Sequence, residues 1–235
     1  MNLGSSAAIQ GTLRAGLAAA LLALTAALPL AHADAEAPYA LDALPRELPK
    51  GEPFGCPEVD LVDYKGTVVR FSSRVLVFKD FAPHLARFEE VARDVGIEIY
   101  GRPPSRIVHL GGFVCRRMTA YPNWLSEHGL GNAIDVSGFD FGPLPKDSQL
   151  PEGLPKGFKA GFEVRVERHW ARKQGHAAVH ARFLRTLADR LVARKDVFRV
   201  LLGPGYPAHD NHFHFDMSPF RMVEIYEDGK RIDAP

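Results

Sequence analysis

Two short segments concentrate the residue types that do chemistry. The first is Ser126-Glu127-His128-Gly129-Leu130-Gly131-Asn132-Ala133-Ile134-Asp135, and the second is His209-Asp210-Asn211-His212-Phe213-His214-Phe215-Asp216. His212 and His214 are two apart on an expected strand, so both imidazoles project from one face. Two converging imidazoles bind a borderline metal when a third ligand joins them. His128 and Asp135 are seven apart, which a straight strand would place on opposite faces. Gly129 and Gly131 let the chain turn between them and bring both back to one site. Three N/O donors, with a fourth position left for water, are what a catalytic zinc ion takes. His128, Asp135 and one His of the 209–214 cluster satisfy that requirement.

The elements that must position these residues follow from periodicity. Residues 67–71 and 74–78 read as short strands joined by Ser72-Ser73. Asp80 offers an N-cap, and Phe81, Leu85, Phe88, Ala92 and Val95 then recur at helical spacing, with Gly96 as the stop. Further strands are expected at 97–100, 106–115 (interrupted by Gly111-Gly112), 132–139, 162–166, 198–202 and 212–217. A loop covers 142–158. A second helix is expected over 176–194, with Val179, Phe183, Leu187 and Leu191 on one stripe. Asp228-Gly229 signals a terminal hairpin. This irregular alternation, without repeats, predicts an α+β fold. A small antiparallel sheet would carry the metal site, flanked by two main helices in a single domain.

Arg14, an apolar Ala/Leu run and Ala31-His32-Ala33 predict a secretory signal peptide over residues 1–33, cleaved after Ala33. An uncleaved anchor is the alternative, although the run is short for a span. Residues 34–53, with four prolines, read as a Pro-rich linker, and 54–235 as the domain with its C-terminal hairpin. The whole chain has 235 residues, 46% hydrophobic, with 29 basic and 28 acidic side chains. The signal removes Arg14, His32 and no acid, so the exported chain has a formal charge of zero. That balance gives no support to a nucleic-acid partner. No stable membrane span is expected after signal removal, and the oligomeric state is not legible. Export makes Cys56 and Cys115 candidates for a disulfide, against two buried free thiols.

The pattern Ser-x-His-x-x-Gly-x-Ala-x-Asp at 126–135, followed about 80 residues later by His-x-His, resembles a zinc peptidase group. That group includes D-alanyl-D-alanine carboxypeptidases and penicillin-insensitive murein endopeptidases. The chain is more closely similar to the extensin-like C-terminal domain family of exported bacterial proteins. The matching pieces are Gly55-Cys56-Pro57, Gly112-Phe113-Val114-Cys115-Arg116, 125–135, and Leu202-Gly203-Pro204-Gly205-Tyr206 through 209–216. The resemblance implies a zinc-peptidase-like domain holding one Zn2+ ion through His128, Asp135 and His214. It implies a catalytic role for His212, with His209 nearby, and an Arg116 that contacts substrate carboxylate or the developing oxyanion. Ser126 and Asp216 would orient the ligands by hydrogen bonds from behind.

The implied activity is periplasmic hydrolysis of peptide bonds in peptidoglycan stem peptides or crosslinks, with peptidoglycan or muropeptides as substrate. Two departures bear on it. Asn211 stands where carboxypeptidase relatives carry a Glu base and close relatives often an Asp. Asp210 stands where a basic residue is expected. An amide cannot accept the proton, so the base falls to His212 or His209. The alternatives are a non-catalytic cell-wall-binding or regulatory module that keeps the fold, and an amidase acting on a non-peptide wall bond. A second Cys pair expected in some relatives near 196 and 223 is absent, which fits Cys56 pairing with Cys115.

Other residues have plainer readings. His176 and His180 have the i, i+4 spacing of helical zinc ligands, but Ala177 replaces the expected Glu and both lie near the apolar stripe, so a structural role is expected. His84 is expected to be exposed and His109 to pack. Trp124 lines a groove or fills core, and Trp170 packs. Glu127 adjoins a ligand but points away from it on an extended chain, and Arg117 is the alternate to Arg116.

Overall fold

The computed structural model describes residues 39–233, within the second of the chain's two units, Pro38–Pro235. The expected signal peptide and the start of the linker lie outside the described residues. The fold is α+β in a single domain, as its sequence pattern implies.

Strand β4 (Ala133–Phe141) is the hub of a six-stranded sheet, five strands of which run in the order β3-β4-β7-β6-β8 while β5 pairs with β4 off that path. β3 (Arg106–Gly111) pairs along one edge of β4. On the other edge, β7 (Phe213–Asp216) pairs with 133–136 and β5 (Phe162–Arg165) with 138–141. β6 (Val200–Leu202) is antiparallel to β7, whereas β8 (Met222–Glu224) runs parallel to β6. That last pairing is the one departure of this sheet from the expected antiparallel pattern.

One irregularity in β4 matters for the site. Between Val108↔Gly138 and His109↔Val136, β4 carries an extra residue, a bulge that reverses which face the following residues take. Asp135 and Phe139, four apart, would otherwise share a face. Instead Phe139 meets Phe88 and Phe183 in the core, and Asp135 stays on the side of His214.

The core is closed by α1 (Ala82–Tyr100) and α3 (Gly175–Ala193), which pack on each other. The expected stripes are buried: Leu85, Phe88, Ala92 and Val95 on α1, Phe183, Leu187 and Leu191 on α3. α2 (Val166–His169) is a single turn between β5 and α3. β1 (Leu61–Tyr64) and β2 (Val75–Phe78) form a separate hairpin. β9 (Tyr226–Glu227) and β10 (Lys230–Arg231) form the terminal one, around Asp228-Gly229.

Several sequence expectations are corrected. Residues 67–71 are not the partner of β2. The backbone N–H groups of Thr67, Val68 and Val69 donate to the buried Glu89 carboxylate at 2.8, 2.5 and 2.9 Å, so they form a turn and β1 takes the pairing. α1 does not stop at Gly96. It continues through 97–100, expected as a strand, to Gly101 at φ +70, the left-handed conformation that ends helices. His84 is buried, with Nδ1 3.0 Å from the carbonyls of Asp196 and Val197. Residues 39–53 are no free linker: Leu41 is in the core, and Leu44 and Leu48 pack against it. Prolines there suit a chain laid down on a surface rather than one spanning a gap. Among the described residues, no helix is long and apolar enough to cross a membrane.

Candidate metal centre

Asp135 and His214 are directly opposed on β4 and β7, so strand register alone sets them side by side. His214 Nδ1 lies 2.9 Å from Asp135 Oδ1. Its Nε2 lies 2.8 Å from Asp216 Oδ2, two residues on and on the same face. The other Asp216 oxygen accepts the Ser218 backbone N–H at 2.8 Å. The ring is thereby fixed with Nε2–H donating to Asp216 and Nδ1 turned to the site.

His128 arrives differently. It sits in a short 3-10 helix, Glu127–Leu130, closed by Gly131 at φ +62. Its Nδ1–H donates to the Gly112 carbonyl at 2.6 Å. Nε2 is then 3.2 Å from both Asp135 Oδ2 and His214 Nδ1. One ligand atom from each of His128, Asp135 and His214 lies within 4.8 Å of the others. Cys56 and Cys115 are bonded nearby.

This donor set suits a zinc-sized cation. Each imidazole has its outer nitrogen tied to an acceptor and its inner nitrogen turned inward. If both inner nitrogens carried protons, two imidazolium N–H groups would face each other across 3.2 Å. Lone pairs on those nitrogens, converging with a carboxylate on one cation, remove that conflict. Donors about 2.0–2.1 Å from a tetrahedral zinc ion stand roughly 3.3 Å apart, close to the 2.9 and 3.2 Å spacings found here. The outer partners, a backbone carbonyl and a carboxylate, are those that usually orient metal-bound histidine.

The electrostatics add that the Asp135–His214 pair holds a proton that a bound cation would displace. Burial acts to raise the Asp135 carboxyl, but hydrogen bonds from His128 and His214 outweigh it and hold it well below the usual carboxylate range. Burial acts to lower His214, and the hydrogen bonds to Asp135 and Asp216 overcome it, pushing it up to about 9. His212 and His209 go the other way, both lowered chiefly by burial.

The remaining site residues fall into place around the three donors. His212 Nε2 is 3.6 Å from Asp135 Oδ1, and its Nδ1–H donates to Asn211 Oδ1 at 2.7 Å. Asn211 therefore orients His212, a role its side chain can fill where it could not serve as a base. His209 is more remote, with Nδ1 2.8 Å from the Pro207 carbonyl and its ring centroid 5.9 Å from that of His214. Asp210 accepts the Gly205 N–H at 3.1 Å and closes the loop before β7. Arg116 is half-buried, and its charge reaches His209. It makes no side-chain hydrogen bond or ion pair among the described residues.

Arg117 is committed elsewhere, donating to the carbonyls of Pro49, Glu52 and Pro122. Among the described residues, Ser126 contributes only backbone hydrogen bonds, and its hydroxyl does not reach a donor. Glu127 points away from the site into an ion pair with Arg46. Trp124, 47% exposed, is not core, whereas Trp170 is buried and donates to the Tyr226 carbonyl. His109 lies off the site beside Ser73 and Phe71. The Gly112 carbonyl, which holds His128, has no side chain by which a functional role could be read.

The fold and donors together give an α+β domain in which His128, Asp135 and His214 form a group that could hold a metal ion beside the β4–β7 pairing. Residues 33–143 match the family model described as Extensin-like protein C-terminus, which supports the extensin-like assignment drawn from the motifs. The matched span contains His128, Asp135, Arg116 and both cysteines, and ends before the 209–216 segment. Comparisons with curated proteins and with solved structures return no match.

Proposed function

We propose that this protein is an exported zinc hydrolase acting on peptide bonds of peptidoglycan stem peptides or crosslinks. The observation that carries the reading is the convergence of His128 Nε2, Asp135 and His214 Nδ1, with both outer nitrogens already engaged. The Cys56–Cys115 bridge is compatible with export to an oxidising compartment such as the periplasm.

Zinc bound there would polarise a scissile carbonyl and bring the pKa of its water towards neutrality. His212 would be the residue placed to take up a proton there. Burial holds its imidazole below the ordinary histidine value, so it is neutral at pH 7, and Asn211 fixes the N–H on Nδ1 so that Nε2 is the basic atom. Arg116 offers an uncommitted guanidinium to a substrate carboxylate or to negative charge developing on the carbonyl oxygen. Asp216 holds the His214 ring throughout.

The test is mass spectrometry of fragments released from sacculi carrying both D,D- and L,D-crosslinks, run with the zinc-loaded protein and with His214→Ala. Peptide fragments from the first and none from the second are expected. Stoichiometric zinc with no cleavage of sacculi, muropeptides or pentapeptides would favour the non-catalytic wall-binding module. No zinc at all would sink the mechanism.

A further inference from the structure

Of the three donors, His128 alone is not placed by strand register. It belongs to a four-residue 3-10 turn, an element with little stability of its own. The stretch around it, 112–132, contains no β-strand of the sheet. The N-terminal arm, residues 39–56, holds that stretch together with β2, whose Leu76 carbonyl accepts the Phe113 N–H at 2.9 Å and whose Phe78 N–H donates to the Gly131 carbonyl at 2.8 Å.

The arm's contacts converge on it. Arg46 Nε donates to Glu127 Oε1 at 2.8 Å and Nη2 to Oε2 at 3.3 Å, a two-pronged pair buried to 7% and 8% exposure. Glu127 is the residue before His128. Its Oε2 also accepts from Asn132 Nδ2 at 2.6 Å, and Asn132 Oδ1 accepts from Tyr39 Oη at 2.5 Å. The Leu125 N–H donates to the Arg46 carbonyl at 2.7 Å, and the Leu48 N–H to the Asn123 carbonyl at 2.6 Å. At the far end of the arm, Cys56 is bonded to Cys115. Cys115 directly follows Val114, whose N–H donates to the His128 carbonyl at 3.0 Å, and lies three residues after Gly112, which fixes the His128 ring. A Cβ at Gly129 would come within 2.9 Å of Cys56 Sγ, so the bridge presses directly on the turn.

We propose that Arg46 and the Cys56–Cys115 bridge are positioning groups for His128, and that the arm is a strap that presets its inward nitrogen before a cation binds. The inference rests on the metal reading above and extends it to residues that touch no donor atom. Removing Arg46 leaves the Glu127 carboxylate buried without its counter-charge. The turn then relieves that cost by moving, and His128 moves with it.

Affinity for Zn2+ and Co2+, together with the Co2+ absorption spectrum, tests this on the purified protein. Arg46→Met should bind both ions about 10–100-fold more weakly, in the range seen when groups behind metal ligands are removed, with an altered spectrum. Arg46→Lys, which keeps the charge but loses the fork, should recover part of the loss. Cys56→Ala/Cys115→Ala should shift in the same direction. Glu89→Gln, which disturbs a buried carboxylate remote from the site, should lower stability yet leave metal affinity within about twofold.

Hydrogen exchange on the metal-free protein gives a second readout. The amides of Val114 and Gly131, both bonded to the His128 carbonyl, should exchange at least about tenfold faster in Arg46→Met, while those of β4 and β7 keep their protection. Unchanged affinity and unchanged exchange at these two amides would overturn the strap. If the wild-type protein binds neither ion, the metal reading fails alone, and the exchange result still decides the strap.

Discussion

The molecule holds two groups of histidines that look alike in sequence and behave oppositely in space. At the β4–β7 seam, His128, His212 and His214 gather around Asp135. Beside α3, the His169 and His180 rings lie 4.6 Å apart, tilted to each other, with Phe158, Phe162 and Tyr100 around them, and the neighbouring charges are largely arginines. In the first group carboxylates overcome burial and push His214 up to about 9. In the second, burial and the neighbouring histidines push His180 down to about 4. The spacing i, i+4 of His176 and His180 is ligand-like, but among the described residues no carboxylate joins them in a ligand group. Histidine count and spacing mark where a site could be; the anionic partner decides whether it is one.

The largest effect should come from removing that partner. Asp135→Asn keeps the shape but withdraws the carboxylate between the two imidazoles, and calorimetric titration should show zinc affinity falling at least about 100-fold. A variant that still bound zinc as tightly as the parent would erase the distinction between the clusters. Asp216→Asn acts one step further out. It leaves every donor in place but loosens the His214 ring, so a fall of about 10–100-fold is expected, with activity on muropeptides reduced in parallel.

The α3 cluster should respond to acid rather than to metal. His180 has a folded pKa of about 4 against an ordinary value near 6.5. Below about 6.5 the unfolded chain takes up a proton that the folded chain refuses, so stability declines as pH falls from 6.5 towards 4 and is fully present above 6.5. His84, also lowered chiefly by burial, contributes with the same sign. In chelated protein, the urea midpoint of His180→Gln should depend less on pH over that interval than the parent's, and an unaltered slope would remove His180 from the account. The smallest effect belongs to His176→Ala. The side chain is exposed, and the change should move stability by no more than about 0.5 kcal/mol and zinc affinity not at all.

What could be read from the sequence followed regular backbone. Asp135 and His214 sit on strands and His212 just before one, where alternation tells which face a residue takes, and the two helical stripes were legible for the same reason. The parts that escaped depend on contacts between remote residues. Arg46 and Glu127 are 81 apart, and neither lies in a periodic pattern, so prolines around Arg46 read as a linker. Residues 67–71 have strand composition, but Thr67, Val68 and Val69 surrender their N–H groups to Glu89, a partner on another element. The bulge in β4 leaves no mark in residue type, yet it is what lets Asp135 and Phe139 face opposite ways.

The pairing of Asp135 with His214 joins residues 79 apart, and that of His128 with His214 residues 86 apart. A cation bridging them would bind only a chain whose β7 has already zipped onto β4, a contact of the slow, late-forming kind. It could not seed folding; it would act as a clasp fastened afterwards. Free zinc at a hundred times its dissociation constant adds about 2.7 kcal/mol to the folded state, and all of it would resist the opening of that one seam. Scarcity of the metal would then show first as faster local breathing between β4 and β7, well before any loss of the helices.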